Sequence, residues 1–412
     1  MSACATATHR RTSSLSPDEW RLIAVSFLVI TVVFGCGRFA YSTLIVPMRV
    51  DFEASRQVMA LMAMSNLVGY LTGSVVSASN GRHARRIVVP ALVVAVASLL
   101  GLALAPSVPL ALVLLVTVGF VSGLAFVAAA GLLSTAFDVN RGRAVGLAMA
   151  GVGGGILLTS GISSLLLSSG TASWRWVWVL AALYTLGVAA VARTVYPRLR
   201  SATAPVPAEE PPPAPTRGTW RRWFLFAAYV AWGFGQVVQI TLLPEFLVEE
   251  RGIAPATASL VYGASGLTMV LASPLVGLAS DRVGRRLMYG ACLACAVLSV
   301  GFVVLGSSIA WYLTGSLLFG VPVSGVGALT PAMVADLWRP EQFAAVFGGM
   351  TALFGTAQAL GPSMAALSID RTGSLHAAYV GSLAFCALAL VSAIGLPATR
   401  SARSIPATPP VH

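Results

Sequence analysis

Twelve apolar runs, separated by short polar or charged breaks, divide this chain. In the first half they fall near 21–47, 57–79, 87–105, 110–137, 144–168 and 175–195. In the second they fall near 221–247, 257–279, 287–306, 310–334, 343–367 and 375–396. A helix needs about 20 apolar residues to cross the hydrocarbon layer of a bilayer, so each run is predicted to be a transmembrane helix. The expected fold class is an all-α membrane protein of 12 helices. The first run is too long for the core of a signal peptide and contains Arg38, so it should stay as a membrane helix.

Between the sixth and seventh runs lies APVPAEEPPPAPTRG, residues 204–218, which cannot bury a core and reads as an exposed linker. The chain therefore divides into an N-terminal tail (1–20), a six-helix half (21–196), a linker (197–219), a second six-helix half (220–396) and a tail (397–412).

Composition agrees with a lipid environment. Of the 412 residues 57% are hydrophobic and 10% charged, with a mean hydropathy of +0.84. Soluble domains carry about a quarter charged residues. The net charge of +12 would suit a nucleic-acid surface, but its distribution excludes that partner. Every basic residue is an arginine. On the side that holds the tails and the linker there are 20; the other side holds Arg49, Arg56, Arg175, Arg251 and Arg371, and Arg38 lies inside a run. The positive-inside bias then predicts cytoplasmic termini, in the inner or plasma membrane of a bacterium. Cys292 and Cys295 spell CxxC inside an apolar run and are expected to be packing residues. Nothing in the sequence calls for a metal or a cofactor.

The two halves echo each other. GLASDRVGRR (277–286) and SASNGRHARR (77–86) align at an offset of 200, which puts Arg82, Arg85 and Arg86 on Arg282, Arg285 and Arg286. FGCGRF (34–39) aligns with WGFGQV (232–237), and Asp138 and Arg141 align with Asp336 and Arg339. Such internal repeats are common in transporter folds.

With these residues in view, the chain resembles the major facilitator superfamily. The signature GxxxDRxGRR of that family is matched by Gly277, Asp281, Arg282, Gly284, Arg285 and Arg286, in the second repeat. GRFAYSTLIVPM (37–48) further resembles the YbfB/YjiJ-like bacterial branch. The resemblance implies two six-helix halves around a midplane site, a monomer in the bilayer, and movement of a small molecule, with efflux favoured over uptake. Three positions depart from the family pattern: Gly81 replaces the first-half Asp, Gly119 stands where a helix-4 arginine is usual, and GVGGG (151–155) lacks the usual proline.

The charged turns suggest gates. Asp281 is expected to pair with Arg141 or Arg143 across the halves, with Gly277 and Gly284 permitting close backbone approach. In the mirror-related turn Glu341 is expected to face Arg82, Arg85 or Arg86. These latches would hold the cytoplasmic side shut.

Arg38 is the ionised residue that lies deep in a run, where arginine costs about 3 kcal/mol on insertion scales, so it should face a cavity or a partner. Phe34, Arg38, Tyr41 and Ile45 fall on one face of an α-helix, and Gln236 and Gln239 form a matching stripe on helix 7. Asn66, Tyr70, Tyr262 and Gln358 complete a candidate binding set for an anionic or strongly polar group. Helix-to-helix hydrogen bonding is the competing role for each of these polar side chains. For Arg38 that role would be capping carbonyls freed around Gly35 and Gly37. Glu245, at the outer end of helix 7, and Asp138, at the end of helix 4, are the candidates for proton coupling, although an ordinary interfacial charge is the favoured reading of each; uniport, or coupling through the substrate's own charge, stays open. A membrane-embedded enzyme is disfavoured, because His9, His83, His376 and His412 all lie in loops or tails. So is a sensor, because the longest loop is the proline-rich linker.

Overall fold

Twelve long helices follow one another in the computed structural model, which describes residues 15–79, 84–137, 141–170, 173–196 and 220–397. The side chains at 79, 84, 85, 134, 135, 141–143, 281, 340, 341 and 343–345 lie outside that description. The helices are α1 (Pro17–Asp51), α2 (Arg56–Ser79), α3 (Ala84–Leu104), α4 (Val108–Ala136), α5 (Arg141–Met149 and Gly151–Leu167) and α6 (Trp174–Val195). After the linker come α7 (Trp223–Glu249), α8 (Pro255–Val283), α9 (Arg285–Leu305), α10 (Ile309–Leu337), α11 (Pro340–Thr372) and α12 (Leu375–Ile394). Among the described residues 11 of these are long and apolar enough to span a bilayer. The twelfth, α11, has the length at 33 residues, while glycines, threonines and Gln358 dilute its hydropathy.

Local chemistry sets the ends. Ser16 and Glu19 form a reciprocal capping box on α1, with Pro17 in the first turn. Glu250 accepts the amides of Leu375 and His376 at the start of α12. Gly284 separates α8 from α9 at φ +94°, a conformation that glycine adopts without a Cβ clash. Leu104 and Leu165 remain 80% and 76% exposed, an arrangement that suits lipid contact.

The packing repeats. In the first half α2 packs on α4, α3 on α4 and α6, and α1 on α5. Each pairing recurs six helices later: α8 on α10, α9 on α10 and α12, α7 on α11. The halves meet where α5 crosses α8 and α2 crosses α11, and α1 touches α7. We call the side where α1 starts and α6 ends the linker side, and the opposite one the far side.

Small residues let these helices touch. Gly69 and Gly73 on α2 oppose Gly119 and Gly123 on α4, a doubled GxxxG contact. A Cβ at Gly119 would sit 1.9 Å from the Asn66 carbonyl oxygen. That gives the physical reason for one departure from the family pattern: no arginine fits at this position. GVGGG packs likewise, Gly153 against Gly266 of α8 and Gly155 against Gly35 of α1. Cys292 is buried against Gly325, as expected of a packing residue.

Candidate functional site

The site begins at a defect in α1. Because Gly35 lies directly against Gly155, the two backbones are in contact. From Val32 to Phe39 the chain winds as a π-helix, and the amide of Ala40 reaches back to the Gly35 carbonyl. Such widened turns recur at functional sites. The predicted straight stripe of Phe34, Arg38, Tyr41 and Ile45 assumed α-helical spacing and is corrected by this winding. Phe34 turns to Tyr70 and Phe126, Arg38 to the second half, and Tyr41 to α2.

Arg38 lies near the middle of α1 and Gln358 near the middle of α11. The Arg38 Nη2 donates to Gln358 Oε1 at 2.7 Å, so this bond joins the two halves. The guanidinium also stands 5.1 Å from the Tyr70 ring centre and 5.4 Å from that of Phe39, both within cation–π range. The carbonyl of Gly37, in the widened turn, is taken by Asn66 Nδ2 at 2.9 Å rather than by Arg38. Arg38 thus keeps its charge directed at a cavity lined by Tyr41, Ser42, Asn66, Thr241, Gln358 and Pro362, among others.

The other polar residues of the predicted set are placed as follows. Tyr41 donates to the Met59 carbonyl at 2.8 Å, and Asn66 donates also to Leu115 at 3.1 Å. Tyr262 donates to the Ile240 carbonyl at 2.9 Å, as does Ser42 at 3.0 Å from the opposite half. That carbonyl is free because Pro244, four residues on, has no amide hydrogen to return. Gln239 turns into the second half and donates to Ser299 at 2.9 Å, away from the Arg38 cavity. Gln236 is buried on the same helix.

On the far side a second cavity adjoins the first, sharing Ala63, Thr241 and Pro362 with it, and it contains Glu245 and Arg56. Here the halves are tied by charge. Glu249 receives Arg49 and, at 2.5 Å, Arg56; Glu245, 4% exposed, sits 3.6 Å from Arg56 Nε. Gln57 donates to Asp370 just beyond. The far side is therefore shut.

On the linker side the signature behaves differently from expectation. Among the described residues a Cβ at Gly277 would meet nothing within 4 Å, so none of them accounts for that glycine by close approach. Gly284 is required by its positive φ, with no crowding there among the described residues. Arg285 pairs with Asp336 at 2.5 Å and donates to the Ala332 carbonyl, which staples α9 to α10 within one half. Arg286 donates to the Ile394 carbonyl at the end of α12. Arg282 and Arg86 are exposed. Arg82 and Asp138 lie outside the described residues, as do the side chains of Asp281, Arg141, Arg143, Arg85 and Glu341.

Residues 30–396 match the family described as "Uncharacterised MFS-type transporter YbfB". The chain belongs to this MFS family. Two curated relatives cover parts of it. The triacylglyceride transporter of Mycobacteroides abscessus is 31% identical over 30% of this chain and 24% of its own length. The hexuronate transporter of Bacillus subtilis is 25% identical over 40% of this chain and 43% of its own. Among solved structures, a D-xylose-proton symporter superposes with a TM-score of 0.72, covering 93% of this chain and 99% of that one at 14% identity. That likeness extends to the fold alone.

Within this MFS chain the far-side cluster of Arg49, Arg56 and Glu249 is absent from the sequence reading. Its signal was present: Arg49 and Arg56 are two of the few arginines on that side, and the acid run Glu245, Glu249, Glu250 ends helix 7 opposite them. Asp336 was aligned as a repeat position, yet its pairing with Arg285 needed the structure.

Proposed function

We propose that this protein is a secondary active transporter that carries a small, preferentially anionic organic molecule by alternating access. The observation that carries this reading is the Arg38–Gln358 bond at 2.7 Å: it joins the two halves near mid-span and exposes a lone guanidinium to the cavity between them. In lipid such a charge is retained where a pathway or ligand needs it. The shut far side supplies one of the two gates that rocking halves require.

The arginine distribution supports cytoplasmic termini, which makes the linker side the cytoplasmic face of a bacterial inner or plasma membrane. Efflux is the direction favoured by the family resemblance. Glu245, buried next to the cavity, is the carboxylate best placed to couple transport to protons, with Asp138 as the second candidate. The gates proposed for the cytoplasmic face remain Asp281 with Arg141 or Arg143, and Glu341 with Arg82, Arg85 or Arg86.

Purified protein in proteoliposomes, offered a panel of anionic and neutral metabolites, tests the reading. Arg38→Gln is expected to lose uptake of the preferred anion at least tenfold while its thermal unfolding is retained. Equal rates and equal selectivity in the variant would remove Arg38 from the transport centre.

A further inference from the structure

We infer that the substrate is a monocarboxylate with a flat, mainly apolar body, held head-on by Arg38 beside the rings of Phe39 and Tyr70. The inference rests on the transport reading around Arg38 and narrows it to a chemical class.

The head group follows from charge. At the far side Arg49 and Arg56 face Glu245 and Glu249 and are balanced. Arg38 has a neutral hydrogen-bond partner, Gln358, for a group with five donors. A planar guanidinium fork matches a carboxylate, which accepts through two oxygens. Such a carboxylate would displace Gln358 Oε1 from Arg38 and so break a bond between the halves. Binding would then be linked to their separation.

The body follows from what the rest of the lining can still donate. The hydroxyl of Tyr41 is committed to Met59, that of Ser42 to Ile240, and the Asn66 amide to Gly37 and Leu115. Few donors remain beyond Arg38, the Gln358 amide and the Thr241 hydroxyl. A polyhydroxylated acid needs partners along its whole length, and each polar group buried without one weakens binding. A single anionic end with no further polar groups fits this supply.

The rings in the cavity lining are those of Phe39 and Tyr41, and Phe39 and Tyr70 stand against the guanidinium; the further aromatic groups pack around Tyr70 and the α2–α11 crossing. Phe34, Tyr70 and Phe126 of the first half cluster at centroid distances of 5.1 to 6.3 Å, with Tyr70 in contact with the guanidinium. In the second half Tyr229 and Phe354 stack at 4.4 Å and 11°. Leu71 packs against Gly355, which brings the neighbours Tyr70 and Phe354 to one α2–α11 crossing. Ring faces of this kind favour flat apolar bodies in stacked or edge-on geometry.

Binding to the purified full chain in detergent, by calorimetry, tests the class with three probes: 2-naphthoate, its neutral isostere 2-naphthamide, and glucuronate. Naphthoate is expected to bind, with the amide and glucuronate at least tenfold weaker. Arg38→Gln should weaken naphthoate at least tenfold and Arg38→Lys less. Tyr70→Ala should weaken it severalfold while Tyr70→Phe retains it, each variant being checked by its melting temperature. No binding of naphthoate at millimolar concentration, or glucuronate binding as tightly, overturns the class. If glucuronate binds and Arg38→Gln abolishes that binding, the class falls and the Arg38 transport centre stands. If naphthoate binds equally to Arg38→Gln and parent, the head-group assignment fails. Unchanged transport of every substrate by that variant would take the centre with it.

Discussion

Ser42 donates its hydroxyl to the carbonyl of Ile240, a residue that the internal repeat makes its near counterpart, at 3.0 Å. Counterparts can touch only near the axis that relates the halves, so this bond marks where α1 and α7 meet. The carbonyl is available because Pro244 withholds an amide hydrogen, and Tyr262 takes its second lone pair. Ser42→Ala or Tyr262→Phe alone should lower stability by about 0.5–1.5 kcal/mol, since one donor remains. The double variant leaves a buried carbonyl unpartnered and should lose more than the sum. In a Pro244→Ala background the helix can satisfy Ile240 itself, and Ser42→Ala should become nearly neutral. Melting temperatures of these variants and of Pro244→Ala alone, in one detergent, measure this.

Glu249 holds two arginines of the opposite half with its side chain 14% exposed. Glu249→Gln removes the charge that both Arg49 and Arg56 share, and a charge-assisted bond of this kind contributes about 1.5–3 kcal/mol. The far side should then open roughly tenfold or more often. A cysteine placed at Thr241, between the two cavities, should react correspondingly faster with a membrane-impermeant thiol reagent applied from the far side. Unchanged reactivity would mean that apolar packing, rather than charge, keeps this side shut.

The α2–α4 contact predicts a sharp contrast between glycines of one helix. At Gly119 an added methyl meets the Asn66 carbonyl at 1.9 Å, and backbone cannot yield without parting the helices. Gly119→Ala should therefore destabilise by about 1–3 kcal/mol and reduce the yield of folded protein. At Gly131 the same methyl meets nothing within 4 Å among the described residues, and Gly131→Ala should be neutral or slightly stabilising. Size-exclusion profiles and thermal unfolding of both variants compare them directly.

The helices and their duplication were legible because apolar length and arginine placement are one-dimensional signals. Arg38 was legible too, as a charge where none is tolerated without a purpose. Its partner was not: nothing in the sequence distinguishes Gln358 from Gln236 or Gln239, and the pairing occurs on a π-helical turn, with Gly35 against Gly155, that α-helical spacing does not foresee. The signature glycines show a related limit. Gly277 and Gly284 look alike in sequence, yet the second stands at φ +94° and the first would meet no described neighbour within 4 Å. The far-side cluster was hidden for another reason. Counting arginines by side treats Arg49 and Arg56 as a residue of topology, whereas their meaning lies in Glu249, about 200 positions away.

Glu245 is buried at the same far-side junction, but its contact with Arg56 is the looser one, 3.6 Å against 2.5 Å for Glu249. The groups around it are Arg49, Arg56 and Glu249, with Tyr41 and Tyr379 close enough to feel its charge. Protonation would cancel its attraction to Arg56 and its repulsion of Glu249, leaving the tighter Glu249 pairs in place. A proton could thus be accepted without the gate collapsing, which is what a coupling site next to a gate needs. If Glu245 couples, Glu245→Gln should fix the neutral form: substrate exchange between equal pools continues, while accumulation driven by a pH gradient falls to the level without one. Exchange and gradient-driven flux measured in the same proteoliposomes separate these outcomes. Gradient-driven accumulation that survives in Glu245→Gln would assign coupling elsewhere, to Asp138 or to the charge of the substrate itself.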